Sequence, residues 1–365
     1  MKWIILATIL VVLNTTVACK SADAQSAMKP VNVTDKLIEV KGANYVFRDD
    51  GLLAFSRFSE ETLDAPMNEA MFNADKARTN SGIRLKFKTG SSLVRLTFKP
   101  MPGQNRGCEF AVYQNEEQTD VFNFKGDRSK TKMVLEFKNA QASETLFEVT
   151  MPSFANVALV DMELEEDAPL MPVDEKDQPV YLAIGNSITH GVGQGSATYL
   201  TYPYLLSKEM GLDYYNLAVG GAKISPAIAR MTAEMPQADI ITILIGYNDL
   251  MFNDKSVDEY SSAYLSYLKS IRHNQPKATI YCITLTHTRA VANERTGIKP
   301  DEFRTALKHL VYQLQSEGDN RLHLIEGDKI TSEDNLRADV LSDQVHFGIK
   351  GAALFAEELA KIVSP

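Results

Sequence analysis

Cysteine is scarce in this chain of 365 residues. Cys19, Cys108 and Cys282 are too few and too far apart for a disulfide framework, and none stands with histidines at zinc spacing. No structural metal and no disulfide staples are therefore expected. Basic charge is short as well: 38 Lys and Arg against 47 Asp and Glu leave a net charge of -9, the wrong sign for tracking phosphate backbones, so nucleic acid is not an expected partner. Tryptophan is confined to Trp3, close to the start, which leaves a mature surface without an indole platform and dependent on tyrosines such as Tyr45 and Tyr113. Apolar runs are short. Ile4 to Leu13 spans only about ten residues, about half of what a membrane-crossing helix needs.

That run is the right length for something else. Lys2 supplies a positive n-region and Ile4 to Leu13 an apolar core, the pattern of a signal peptide. Thr16-Val17-Ala18-Cys19 resembles a bacterial lipobox, with Thr16 where Leu is usual; a lipid on Cys19 would attach the mature chain to a membrane. The competing reading is cleavage after Ala22-Asp23-Ala24 and a soluble secreted product. Both readings export the chain, to the periplasm, the cell surface or the medium. Cys108 and Cys282, one in each half, are expected to be buried thiols acting as small hydrophobes.

From about residue 40 to 165 the pattern alternates with period two, and helical periodicity is hard to find. Ile83, Leu85 and Phe87 alternate with Arg84, Lys86 and Lys88; after Thr89-Gly90-Ser91-Ser92, Val94, Leu96 and Phe98 alternate with Arg95, Thr97 and Lys99, a hairpin by pattern. Val160, Met162 and Leu164 continue the alternation. Many short strands predict an all-β, jelly-roll-like sandwich over 28–168, after a signal peptide and short linker over 1–27. Pro169, Pro172 and Pro179 mark an acidic linker over 169–179. Beyond it, over 180–365, buried strands at Val180–Ile184, Tyr214–Leu217, Ile240–Ile245, Thr279–Leu285 and Leu322–Ile325 alternate with amphipathic helices, which predicts a parallel sheet covered on both faces.

Ligands gather beyond the carboxyl ends of such strands, and four segments there carry chemistry. Gly185-Asn186-Ser187 presents a hydroxyl at a turn into a helix, and Val219-Gly220-Gly221 brings backbone N–H groups to a strand end. Gly246-Tyr247-Asn248-Asp249 offers an amide and a carboxylate, and Asp343-Gln344-Val345-His346 sets a carboxylate three residues before a histidine. Ser187 alone could simply cap a helix, and a turn like the third is commonplace. His190 lies close to Ser187 in sequence but has no carboxylate at an orienting offset.

In this order, the four segments resemble the SGNH (GDSL-type) hydrolase family. The resemblance covers roughly residues 178 to 365; Asn186 departs from the Asp more usual there. It implies an α/β fold of flavodoxin-like, three-layer α/β/α architecture, and a serine esterase with Ser187 as nucleophile, His346 as base and Asp343 as its orienting partner. The implied oxyanion donors are the N–H groups of Ser187 and Gly221 and the amide of Asn248, and the implied chemistry requires no metal and no organic cofactor. The β-rich half looks like the accessory sandwiches that precede this domain in some bacterial carbohydrate esterases.

The expected substrate is thus an acylated, above all acetylated, polysaccharide or oligosaccharide. The alternatives are a lipase, lysophospholipase or thioesterase with the same constellation, or a non-catalytic glycan-binding lipoprotein. Gln194, Thr198, Tyr199 and Tyr202 after the nucleophile, and His287, Thr288 and Arg289 after the fourth strand, are polar groups suited to sugar hydroxyls. No single substrate-binding residue is assigned from sequence.

Overall fold

The computed structural model describes residues 27–364 apart from 50, 125–130, 142, 175 and 176. The signal-peptide run, Trp3 and the lipobox with Cys19 lie outside the described residues. The N-terminal half builds two six-stranded antiparallel sheets. One runs in the order Tyr45–Asp49, Leu52–Ser56, Val157–Glu165, Leu93–Pro100, Met133–Lys138, with Met28–Val31 also on Val157–Glu165. The other runs Leu170–Met171, Arg84–Thr89, Thr145–Thr150, Glu109–Gln114, Glu117–Asn123, with Glu39–Lys41 also on Arg84–Thr89. Their inner faces meet in one core, where Leu85, Phe87, Phe147 and Val149 oppose Leu96, Phe98, Leu135 and Leu159. Each such side chain contributes roughly 1.5–3 kcal/mol on leaving water. The alternation read from the sequence is the β-sandwich it implied.

Three expectations need correction. The strands flanking Gly90 do not form a hairpin: Arg84–Thr89 and Leu93–Pro100 lie in opposite sheets. The turn carries the chain across the sandwich, so both apolar faces point inward as the alternation requires, but their hydrogen-bonding partners are other strands. Ser91 closes the turn onto the Leu93 carbonyl at 2.6 Å, and Ser92 N–H donates to Glu165. Second, a register shift between Leu159 and Asp161 moves the alternation by one residue, so Leu159 rather than Val160 is fully buried on the core face with Met162 and Leu164. Third, the strand-rich stretch is interrupted by short helices at Glu60–Leu63, Met67–Ala70 and Ala74–Ala77, too brief to show a 3.6-residue period. The proline-rich stretch also supplies an edge strand, Leu170–Met171.

The second half holds a five-stranded parallel sheet in the order Asp213–Asn216, Val180–Gly185, Ile240–Leu244, Thr279–Ile283, Leu322–Ile325. Placing the chain's second strand outside its first is the flavodoxin-like order, with its switch point beside Val180–Gly185. Helices Tyr202–Met210, Val257–Asn274, Pro300–Ser316 and Ile349–Ala360 cover it. Val257–Asn274 starts at a capping box in which Ser256 and Glu259 satisfy each other's backbone N–H, and it buries Tyr260, Tyr264, Leu268 and Ile271 at helical spacing. Cys108 and Cys282 are free and buried, and burial pushes both thiols up to about 12. Among the described residues no helix is long and apolar enough to cross a membrane.

The two halves share an interior. Phe58, Leu63, Phe72, Ala77 and Tyr113 from the N-terminal half pack into the core of the parallel-sheet half. Arg57, 1% exposed, spans the junction and donates to the carbonyls of Thr79 (2.7 Å), Ala77 (2.9 Å), Asn216 and Ala218 (both 2.8 Å). Burial pushes its pKa down to about 9, so it is still a cation at neutral pH. Those carbonyls replace the water it loses, and they lock the loop after Asp213–Asn216 to the helical insertion before Arg84.

Candidate active site

The turn after Val180–Gly185 is built for a close approach. A Cβ on Gly185 would lie 2.2 Å from Thr189 Oγ1 and 2.9 Å from the Leu244 carbonyl, so only glycine lets the strand end bend directly into the helix Ser187–His190. Asn186 caps that helix, its Oδ1 accepting from Ile188 N–H at 3.1 Å. This is the job its position needs, and Asn performs it without the negative charge of Asp. Ser187 is the first helical residue, so its N–H has no intrahelical acceptor and is free to serve a ligand.

Ser187 Oγ donates to His346 Nε2 at 2.7 Å, and His346 Nδ1–H donates to Asp343 Oδ1 and Oδ2 at 2.9 and 3.0 Å. The order serine, imidazole, carboxylate is that of a hydroxyl primed to lose its proton. Burial lowers the His346 pKa; Asp343 pulls the other way but less, so the imidazole is neutral at pH 7 and able to accept a proton. Burial alone would raise Asp343, yet the backbone N–H groups of His346 and Val345 and the imidazole itself hold it below the usual carboxylate range.

The remaining predicted residues converge on the same place. Gly220, Gly221 and Asn248 line a cleft of about 590 Å³ together with Ser187 and His346. Gly221 sits at φ +84°, where a side chain would be strained. The Asn248 amide donates to the Ala222 carbonyl at 2.8 Å, which ties it to the loop carrying Gly221. Asp249 is structural: fully buried, it accepts from Ile224 N–H (3.1 Å) and pairs with Lys255 (2.9 Å), fixing that same loop. An oxyanion between Ser187 and this loop would meet fixed donors. Asn248→Ala should lower kcat by about 10²–10³, some 2.7–4 kcal/mol, with little change in KM; steady-state kinetics on a short-chain ester would check it, and an unaltered kcat would remove Asn248 from the donor set.

His190 is elsewhere. Its ring is fully buried; Nδ1 accepts from Gly220 N–H at 2.9 Å, so Nε2 carries the proton and donates to the Ser153 carbonyl at 2.8 Å, with Thr79 Oγ1 at 2.9 Å. It fastens the glycine loop to the sandwich. Burial, helped by the Arg57 charge, holds it neutral, its pKa well below the usual imidazole value. The unfolded chain takes up a proton below about pH 6.5 while the folded one does not, so stability falls with pH below that point, by up to about 1.4 kcal/mol per unit. In thermal unfolding between pH 7.5 and 5, His190→Gln should be less stable at the upper end and lose less on acidification. An identical slope in both proteins would show that His190 is not the titrating group.

The polar groups expected to meet sugar do not line this cleft. Gln194, Thr198 and Tyr202 are fully buried: Thr198 Oγ1 accepts from Gly82 N–H of the sandwich half at 3.0 Å, while Tyr202 packs on Phe355 and hydrogen-bonds Thr189 inside the parallel-sheet half; Tyr199 donates to Glu109 at 2.8 Å. Thr288 and Arg289 hold the segment bearing Asp343: Arg289 donates to the Asp343 carbonyl (2.6 Å) and Thr288 to that of Gln344 (2.8 Å). His287 sits beside Glu333, 3.4 Å away. Period and polarity could not reveal this, because inter-domain burial is set by how the halves dock. Conversely, the cleft is completed by Tyr247 of the third strand-end segment and by Lys76 and Arg106, from the sandwich half, and Phe252, which the sequence did not single out.

Residues 183–354 match the GDSL-like Lipase/Acylhydrolase family. No curated protein matches the chain. Among solved structures the chain is similar to the salicylyl-acyltransferase SsfX3 from a tetracycline biosynthetic pathway, at 22% identity and TM-score 0.78, covering 91% of this chain and 95% of that one. It is also similar to a family two carbohydrate esterase from Clostridium thermocellum in complex with cellohexaose (16% identity, TM-score 0.62, 85% and 97% covered). A third is a family two carbohydrate esterase from Cellvibrio japonicus (16% identity, TM-score 0.65, 92% and 97% covered). At these identities the likeness is one of fold, and it extends over the sandwich as well as the parallel sheet.

Proposed function

We propose that this chain, whose residues 183–354 match the GDSL-like Lipase/Acylhydrolase family, is an exported serine esterase that removes acetyl groups from polysaccharides or oligosaccharides. The observation that carries the reading is the unbroken chain Ser187 Oγ, His346, Asp343 at 2.7 and 2.9 Å, opening on a cleft. Ser187 Oγ attacks the ester carbonyl as its proton passes to His346 Nε2. Asp343 stabilises the imidazolium that forms. The oxyanion draws on the N–H groups of Ser187 and Gly221 and on the Asn248 amide, which are held in place before the reaction begins. The intermediate collapses, His346 returns its proton to the departing sugar hydroxyl, and an acetyl-serine remains. Water, giving a proton to His346, attacks that ester; the second intermediate collapses, His346 returns the proton to Ser187 Oγ, and acetate leaves.

Two features support a short acyl group on a carbohydrate. The cleft's apolar lining, Val192, Tyr247, Phe252, Val340 and Val345, is interspersed with Lys76, Arg106, Asn248, Asp343 and Gln344, polar groups that a sugar can meet and a long alkyl chain would desolvate. The fold's likeness to carbohydrate esterases spans both halves, so contacts remote from the ester can position it. The likeness to an acyltransferase favours one other reading, in which an alcohol rather than water takes the acyl group. Acetate release from a panel of acetylated polysaccharides, run beside esters of eight or more carbons and with an added alcohol acceptor, tests all three. Acetate as the main product supports the proposal. Preference for long chains with no acetate released, or transfer dominating hydrolysis, rejects it.

A further inference from the structure

The sandwich half reaches into the cleft with two cations. Lys76, on the short helix Ala74–Ala77, extends over the glycine loop: a Cβ placed on Gly221 would lie 3.4 Å from its Nζ. Arg106 lies on the loop before Glu109 and lines the same cleft. The two loops are joined, since Gln104 N–H donates to the Asp75 carbonyl at 2.9 Å, and both are anchored. Lys76 N–H is capped by Asn73 at 3.1 Å, Arg57 donates to the Ala77 carbonyl, and Arg106 N–H donates to the Phe154 carbonyl at 2.9 Å.

Neither cation has an acidic partner among the described residues. The one carboxylate lining the cleft is Asp343, already held by His346 and facing Arg337 at 3.5 Å. Two like charges kept together without a counter-ion raise each other's energy, and burial together with Arg106 lowers the Lys76 pKa. In a chain of net charge -9, Arg95 is answered by Glu136 and Glu163 and Arg272 by Asp319; here the counter-charge is left to come from outside.

Resting on the esterase reading above, we propose that Lys76 and Arg106 select esters carrying a carboxylate close to the scissile bond. That carboxylate belongs either to the sugar, as in an acetylated uronic acid, or to the acyl group, as in the half-ester of a dicarboxylic acid. The ester carbonyl then sits against Ser187, Gly221 and Asn248 while the carboxylate bridges the two cations, one through a compact ammonium and the other through a planar fork. Neither group takes part in bond making. They orient the substrate and offset the repulsion between them.

Two matched pairs test this and separate the sources: mono-O-acetyl glucuronate against mono-O-acetyl glucose, and 4-nitrophenyl hemisuccinate against 4-nitrophenyl butyrate. In at least one pair the charged ester should have the higher kcat/KM, by about tenfold at low salt, equivalent to about 1.4 kcal/mol, and the advantage should shrink as salt is added. The Lys76→Gln/Arg106→Gln protein, shown to be folded by its unfolding temperature, should bring that ratio close to one through KM, and Arg106→Glu should invert it. Which pair responds identifies where the carboxylate sits. Ratios of one or below in both pairs, or a preference that survives the substitutions, overturn the inference while turnover of the neutral esters leaves the esterase standing. No turnover of any of the four esters overturns both.

Discussion

Ser187→Ala should reduce ester hydrolysis by roughly 10⁶-fold, the scale seen when a serine nucleophile is removed from a comparable unit. The change deletes one oxygen from a residue 9% exposed at the first turn of a short helix whose cap, Asn186, is untouched, so the unfolding temperature should stay within a few degrees of the parent. That pairing matters more than either number. A variant that folds as the parent does and turns over as fast would place the nucleophile elsewhere. A variant that does not fold would leave Ser187→Cys, with its similar shape, to report on the hydroxyl.

His346→Ala should be nearly as damaging, and combining it with Ser187→Ala should cost little more than either alone, because the two act as a unit. The pH dependence carries the sharper test. Only the neutral imidazole can accept the Ser187 proton, so kcat/KM of the free enzyme should rise with pH. Burial depresses the His346 pKa in spite of Asp343, so the midpoint should fall below the roughly 6.5 of an unperturbed histidine. Activity should therefore hold into mildly acidic conditions before stability, weakened there by neutral His190, begins to fail. A midpoint above 7 would mean that Asp343 outweighs burial.

What the sequence disclosed follows from how local each signal is. Tyr260, Tyr264, Leu268 and Ile271 recur at helical spacing after Ser256, so cap and apolar stripe both lie within the helix's own turns and are legible there. The strand-end segments with Ser187, Gly221, Asn248, Asp343 and His346 are legible for the same reason, each a few residues at the end of a buried strand, and the structure brings them together at one cleft. Strand pairing is not local: Leu85 and Phe87 alternate identically whether their neighbour across Gly90 is in the same sheet or the opposite one. The bulge at Val160 leaves no mark in composition. Docking is the least legible of all. Thr198 and Tyr199 read as surface, yet Thr198 is buried against Gly82 and Tyr199 donates to Glu109, whereas Lys76, one lysine among many, reads as solvated and stands over the glycine loop.

The central claim is that acyl transfer passes through a covalent bond to Ser187, and a 4-nitrophenyl alkylphosphonate tests it most directly, because it forms the serine adduct but does not release it. Peptide mass spectrometry after inactivation should find the phosphonyl group on the peptide containing Ser187, with one equivalent of nitrophenol released per chain, and no label in Ser187→Ala. Labelling of a different residue, or full ester turnover in protein that the phosphonate never modifies, would contradict it.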